Sequence, residues 1–262
     1  MDAETILFFG HDVSASSRRA YDELRRAAGA RRQVRWLMDV AGGPDVPADL
    51  AGEVAAFDSR DFANWGYATF GATMLPGHCH FPALRHAQAH PSTGNLWVIE
   101  YDVRFTGDWQ LFFEHMDRSD ADLLTCHVRS WQQEPAWFWW PTLCGPAGRK
   151  LDNTLLRRCL LVVARYSPRA LAELARLHAA GWRGHQEVLV PTLLEQSGLA
   201  VRDINDAGDG ARRFYTSTTS RRGKMRGVFS TVRYRPARKR AGWRSNMLYH
   251  PVKPASWKPE RR

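Results

Sequence analysis

Cysteine is scarce in this chain of 262 residues. Cys79, Cys126, Cys144 and Cys159 are widely spaced, with no C-x-x-C pair. That pattern argues against a zinc knuckle and a disulfide framework, and reduced thiols in a cytosolic protein are the simple expectation. Long apolar runs are missing too, for none approaches the ~18 residues that suggest a membrane span. The opening "MDAETILFFG" carries acids where a secretion signal needs positive charge, so a soluble, non-secreted protein is expected. No G-x-G-x-x-G and no G-x-x-x-x-G-K-[ST] occurs, which disfavours a Rossmann-type dinucleotide site and argues against a P-loop NTPase. Acids are nearly absent from the last fifth of the chain. Residues 211–262 hold 16 Lys/Arg against one acid, Glu260, whereas the first 210 hold 21 Lys/Arg and 26 acids. The net charge of +10 therefore sits on a basic C-terminal region attached to a near-neutral to acidic body. Such asymmetry points to an anionic partner: a phosphate-bearing ligand, an anionic membrane surface or nucleic acid.

What is present reads as a globular α/β chain. The apolar fraction of 44% is ordinary and supports a sizeable core. "TILFFG" is a short apolar strand ended by Gly10. A helix follows, with Ser14, Ser16 or Ser17 as N-cap and Gly29 as stop, and Arg32–Val40 alternates as a second strand. This β-α-β opening favours a parallel sheet with right-handed crossovers. "FDSRDFANWGYATFGATMLPGHCHF" lacks periodicity and reads as irregular. Further on, strands are expected at Leu96–Glu100, Ala121–Val128, "RRCLLVVARYS" and "AVRDIN". Helices are expected in "FPALRHAQAHP", in "GDWQLFFEHMDRS", after Ser167–Pro168, and in "GHQEVLVPTLLEQSGL" up to Gly198. Alternating strands and helices over about 200 residues predict an α/β layer fold, in which ligands sit at the carboxyl ends of the strands.

One strand ends at that edge in an unusual way. "LWVIEYDVRFTGDW" is apolar and then places Glu100 and Asp102 two residues apart, on one side of the strand. Adjacent carboxylates repel, so the pair makes sense around a cation or several donors. A hard divalent ion such as Mg²⁺ or Mn²⁺ suits them, together with ligand phosphates. The alternative is structural: Asp102 caps the turn before "TGDW" and Glu100 pairs with Arg104.

The stretch Glu100-Tyr101-Asp102 resembles the acid-x-acid motif of glycosyltransferases with the GT-A fold, the nucleotide-diphospho-sugar transferases. Glu stands where the first Asp is usual, so Asp102 is the better metal-ligand candidate. "HQEVLVPTLLEQSGL" is similar to the family's acidic segment, and the resemblance implies Glu187 as catalytic base, with Gln186 where a first acid often stands. "NMLYHPVKP" is similar to the late segment whose His completes the ion's coordination. It implies His250 as a metal ligand and Lys253 on the diphosphate. By position, Phe9, Gly10, His11 and Asp12 would lie against the donor's base and ribose. The implied protein is an inverting transferase with Mn²⁺ or Mg²⁺, a nucleotide-sugar donor and a carbohydrate or lipid-linked acceptor. The implied fold is a single GT-A-like domain with a mixed, mostly parallel central sheet flanked by helices. In it residues 1–210 are the α/β nucleotide-sugar transferase-like core, and residues 211–262 are a basic, irregular region that completes the donor site.

Other features stay open. Trp131, Trp137, Trp139 and Trp140 fall within ten residues and suit either sugar stacking or core packing. His78 and His80 have an H-x-H spacing, but without further ligands nearby loop structure is the expectation. The basic runs "SRRGKMRG" and "RPARKRAGWR" suit a diphosphate, an anionic membrane surface on the cytoplasmic side, or, less well, nucleic acid. The rival reading is a non-catalytic α/β binding protein that uses this basic region. A nucleotidyltransferase is a third, disfavoured by the lack of a Gly-rich phosphate loop.

Overall fold

The computed structural model describes residues 3–41, 46–207, 212–217 and 230–253. Seven strands form one sheet: β1 (Glu4–Phe9), β2 (Arg32–Asp39), β3 (Val54–Phe57), β4 (Leu96–Glu100), β6 (Leu123–Ser130), β7 (Arg157–Tyr166) and β8 (Val201–Asp203). Their order is β3-β2-β1-β4-β7-β6-β8. All are parallel except β7, which runs antiparallel to both β4 and β6. A separate two-stranded ribbon pairs β5 (Arg104–Phe105) with β9 (Leu248–Tyr249).

β1 and β4, in the middle of the sheet, are apolar over most of their length because both faces are covered. Successive side chains alternate: Ile6, Phe8, Trp97 and Ile99 enter one core, and Leu7, Phe9, Leu96 and Val98 the other. The first core packs under α1 (Ala15–Ala28) and α3 (Trp109–Met116). The second packs under α2 (Phe81–Ala89), α4 (Pro168–Ala179) and α5 (Gln186–Gln196). Helix starts follow local chemistry: Ser14, Asp108 and Ser167 accept from backbone N–H groups of the first turn. Gly198, at φ +77°, follows α5 in the left-handed region where glycine is least strained.

The sequence marks no element at β3: Val54–Ala56 precede the stretch read as irregular, and only Phe57 falls inside it. Its "VAAF" is short and half Ala, so pairing with β2 rather than propensity makes it a strand. The sheet is mixed and mostly parallel, as expected, and β7 is its antiparallel strand because no crossover helix joins it to β6. The connection is the tryptophan-rich segment, which returns the chain at the edge where the parallel strands end. β6 also extends to Ser130 and is irregular after Thr125, with His127 at φ +56°. Among the described residues no helix is long and apolar enough to cross a membrane.

Candidate functional site

β1, β4 and the start of β7 meet at one edge of the sheet, and the acids lie there. Glu100 is the last residue of β4, and Asp102, two residues on, is 2% exposed. Val252 N–H donates to the Asp102 carbonyl (2.8 Å), which sets His250 and Lys253 on either side of it. His250 Nε2 is 3.2 Å from Glu100 Oε2 and 3.4 Å from Asp102 Oδ1. Lys253 Nζ is 2.5 Å from Asp102 Oδ2 and donates to the Tyr101 hydroxyl at 3.0 Å.

Mutual charge dominates this cluster. Burial alone would raise the Asp102 pKa, but the His250 and Lys253 cations outweigh it and hold the carboxyl well below the usual range. Burial opposes a charge on His250 too, yet Asp102 and Glu100 push its pKa up to about 10. Lys253 is likewise raised, against its burial, by Asp102 and Tyr101.

The structural alternative for the acids does not match the geometry. Arg104 donates to the carbonyls of Tyr101 (2.6 Å) and Val103 (2.7 Å) and to Ser16 Oγ (3.0 Å), not to Glu100. The turn before α3 is capped by Asp108.

The residues fit a divalent cation. Glu100, Asp102 and His250 each offer one ligand atom, and the three lie within 4.8 Å of one another. Asp102 Oδ1 is buried and makes no hydrogen bond. His250 Nδ1 is 2.7 Å from the Arg233 carbonyl, which fixes the tautomer with Nδ1–H donating and turns Nε2 toward the carboxylates. Two hard oxygens and an imidazole suit Mn²⁺ or Mg²⁺. Without the ion, the Nε2 proton supplies the positive charge.

The end of β1 has a different character. Phe9 is in the core, its ring 6.0 Å from Phe57. Gly10 N–H donates to the Leu37 carbonyl, and Trp36 Nε1 donates to the Gly10 carbonyl at 3.2 Å. His11 is exposed, 5.3 Å from the Tyr101 ring. Asp12 Oδ2 accepts from the hydroxyls of Ser14 (2.6 Å) and Ser17, which ties it to the start of α1.

Tyr101, read from sequence only as the spacer between the acids, links the two halves of the site. A Cβ at Gly10 would sit 2.3 Å from Tyr101 Cδ1 and 2.7 Å from its Cβ. The Lys253 ammonium lies 4.7 Å from the ring centroid. Gly10→Ala must displace Tyr101 at its root, and Lys253 with it. The expected loss is about 1–3 kcal/mol by urea unfolding, and wild-type stability in this variant would refute the packing argument.

Glu187, in the first turn of α5, is 8% exposed. Burial pushes its carboxyl up to about 7, Glu100 adds to the rise, and Arg158 and His250 pull it back. The sheet edge thus brings Glu187 into electrostatic range of the acid cluster. His185 Nδ1, 4.0 Å from Glu187 Oε2, does not form an ion pair with it. That nitrogen accepts from Glu187 N–H (3.3 Å), and burial lowers the imidazole to about 3, so it is neutral.

Beside Glu187 the aromatic segment forms a wall. Trp139 stacks on His185, centroids 4.2 Å apart, and Trp137 packs against both Trp140 and the Arg158 guanidinium. Arg158 Nε is 2.6 Å from Glu134 Oε2. A cavity of about 350 Å³ opens behind this wall, among Trp131, Trp137, Trp140 and Lys150. Another, of about 230 Å³, lies at the opposite end of the sheet, by Thr5 and Asn95, remote from the acids. Arg158 and Glu134 were not foreseen, since nothing local distinguishes them from surface charges. His78 and His80 part company: His78 Nδ1 meets the Thr73 carbonyl (3.1 Å), and His80 Nε2 meets His178 Nε2 (2.8 Å).

No protein-family model matches the chain, and no curated protein matches it. Solved structures similar to it in fold include the galactosyltransferase LgtC in complex with donor and acceptor sugar analogues. The match has 12% identity and TM-score 0.42 and covers 76% of this chain and 72% of that one. The 2-C-methyl-D-erythritol 4-phosphate cytidylyltransferase of Thermus thermophilus matches at 13% identity and TM-score 0.41, covering 81% and 92%. Mouse xyloside xylosyltransferase 1 matches at 12% identity and TM-score 0.38, covering 77% and 84%. These are likenesses of fold to glycosyltransferases and a nucleotidyltransferase.

Proposed function

We propose that this protein is a metal-assisted, inverting glycosyltransferase that moves a sugar from a nucleotide-sugar donor to an acceptor hydroxyl. The observation that carries the reading is the convergence of Glu100, Asp102, His250 and Lys253 at the carboxyl edge of the sheet. Two carboxylates that share one buried imidazole and one ammonium are arranged to exchange those charges for a metal and a diphosphate. Glu100, Asp102 and His250 would hold Mn²⁺ or Mg²⁺, which when bound supplies Lewis-acid stabilisation of the departing diphosphate. Lys253 would set a positive charge against the phosphates, braced by Tyr101. Phe9, Gly10, His11 and Asp12 would border the base and ribose. Of these four the exposed His11 is the better contact, because both polar groups of the Gly10 backbone are bonded to Leu37 and Trp36 and Asp12 is engaged with Ser14 and Ser17.

Glu187 would accept the proton of the acceptor hydroxyl at Oε1 or Oε2. A carboxyl near pH 7 in its pKa is matched to that task. Arg158 and the Trp139–His185 stack would form the acceptor side of the site, with ring faces suited to sugar C–H faces. In this reading the described residues 230–253 complete the donor site; the basic run "SRRGKMRG", also read as part of that region, lies outside the described residues.

The test is a thermal-shift panel of UDP, GDP, CMP, dTDP and ADP, each with and without Mn²⁺. A nucleotide at about 100 times its Kd is expected to stabilise the protein by about 2.7 kcal/mol, and to need Mn²⁺ to do so. Absence of a shift with every nucleotide, on folded protein, would remove the donor site and leave a binding protein that acts through its basic region.

A further inference from the structure

The segment that brings His250 and Lys253 to the acids has a second character. Residues 230–253 hold seven Lys/Arg and no acid. Arg235, Lys239, Arg240 and Arg244 are exposed. Among them two aromatic rings face solvent: Tyr234, 54% exposed, and Trp243, 91% exposed. Each has a guanidinium beside its face, Arg235 at 5.1 Å from the Tyr234 centroid and Arg244 at 5.7 Å from that of Trp243.

The segment is braced rather than slack. Arg238 N–H donates to the Pro251 carbonyl (2.8 Å), and Lys253 N–H to the Arg238 carbonyl (2.9 Å). Arg244 N–H donates to the Tyr249 hydroxyl (3.3 Å), and Thr106 Oγ1 accepts from Met247 N–H (3.1 Å). The fold therefore holds an indole and a phenol outward on a supported loop, where Trp243 gains almost no burial and Tyr234 only part of its own.

We propose that the loop of residues 233–244 docks the protein on an anionic lipid bilayer. Trp243 and Tyr234 sit at headgroup level, and Arg235, Lys239, Arg240 and Arg244 lie against lipid phosphates. Amphipathic rings favour that depth, and basic residues beside them are drawn to the negative surface. Single-stranded nucleic acid is the rival, since bases stack on aromatic rings along a basic groove. One observation favours the bilayer: the loop's own guanidiniums lie against both rings, where a base would have to stack. The proposal stands whether or not the protein transfers sugar, for a docked binding protein would use the same loop.

The experiment sediments the full chain with vesicles of phosphatidylcholine containing about one-third phosphatidylglycerol, and with phosphatidylcholine alone, at near-physiological salt. Basic residues elsewhere in the chain also attract an anionic surface, so the decisive variant keeps every charge: Trp243→Ala with Tyr234→Ala. The wild type is expected to bind the mixed vesicles and not the neutral ones. The double variant is expected to bind about tenfold more weakly, with an unchanged melting temperature because both rings are exposed. Equal binding by the double variant would overturn the proposal. So would a wild type that ignores phosphatidylglycerol, or one that binds a single-stranded oligonucleotide more tightly than these vesicles at the same salt.

Discussion

Asp102→Asn is expected to cost about 3–5 kcal/mol of stability and to lower transfer at least 10²-fold, with loss of any Mn²⁺-dependent nucleotide shift. The stability part rests on geometry alone. Asp102 is 2% exposed and faces two cations, Lys253 at 2.5 Å and His250 at 3.4 Å. Asn keeps the shape but removes the charge, leaving Glu100 as the one carboxylate in the cluster of Glu100, His250 and Lys253. Breaking a buried pair from one side costs far more than the pair contributes, because the surviving charges stay desolvated. The companion variant Asp102→Asn with Lys253→Met removes one orphaned cation and should recover part of the loss. Urea unfolding of the three proteins decides the matter. If Asp102→Asn unfolds like wild type and keeps its Mn²⁺-dependent shift, the cluster is neither the structural knot nor the metal site described here.

Much of the scaffold was legible because the signals are local. Short apolar runs mark β1 and β4, alternation marks β2, the Ser167–Pro168 pair marks the start of α4, and Gly198 marks the end of α5. The missing pieces depend on distant partners. β7 is as apolar as its parallel neighbours, and its direction is set by the path of the connection, which no window of sequence records. The site is legible in a similar proportion. The acids at the end of β4 can be read from period and position. Their neighbours His250 and Lys253 lie about 150 residues away, and only the likeness of "NMLYHPVKP" to a family segment pointed to them. Nothing in the sequence indicated that Tyr101 would pack on Gly10 and brace Lys253, because contact between a glycine and a ring 91 residues later leaves no periodic trace.

Glu187→Gln is expected to move stability and activity in opposite directions. The Glu187 carboxyl has a folded pKa of about 7 against an ordinary value of 4.5, with burial as the main cause. A raised pKa means that the native state prefers the protonated form. The stabilising contribution of that preference is complete below pH 4.5 and is lost as pH rises through 7, where the buried carboxylate must ionise. Gln carries no such burden. At pH 8 the variant should therefore be more stable than wild type by about 2–3 kcal/mol, and at pH 4.5 the two should nearly coincide. Transfer should fall by about 10²–10⁴, the usual worth of a positioned general base. The wild-type rate should rise with pH through about 7, and the residual rate of the variant should lack that limb. The nucleotide shift with Mn²⁺ should survive, since the variant leaves Asp102, Glu100 and His250 intact, and this separates loss of the base from loss of the donor site. A carboxylate kept for the fold would behave otherwise: its amide would lose stability at every pH. That outcome would assign Glu187 to the start of α5 alone and leave the acceptor's proton without a destination.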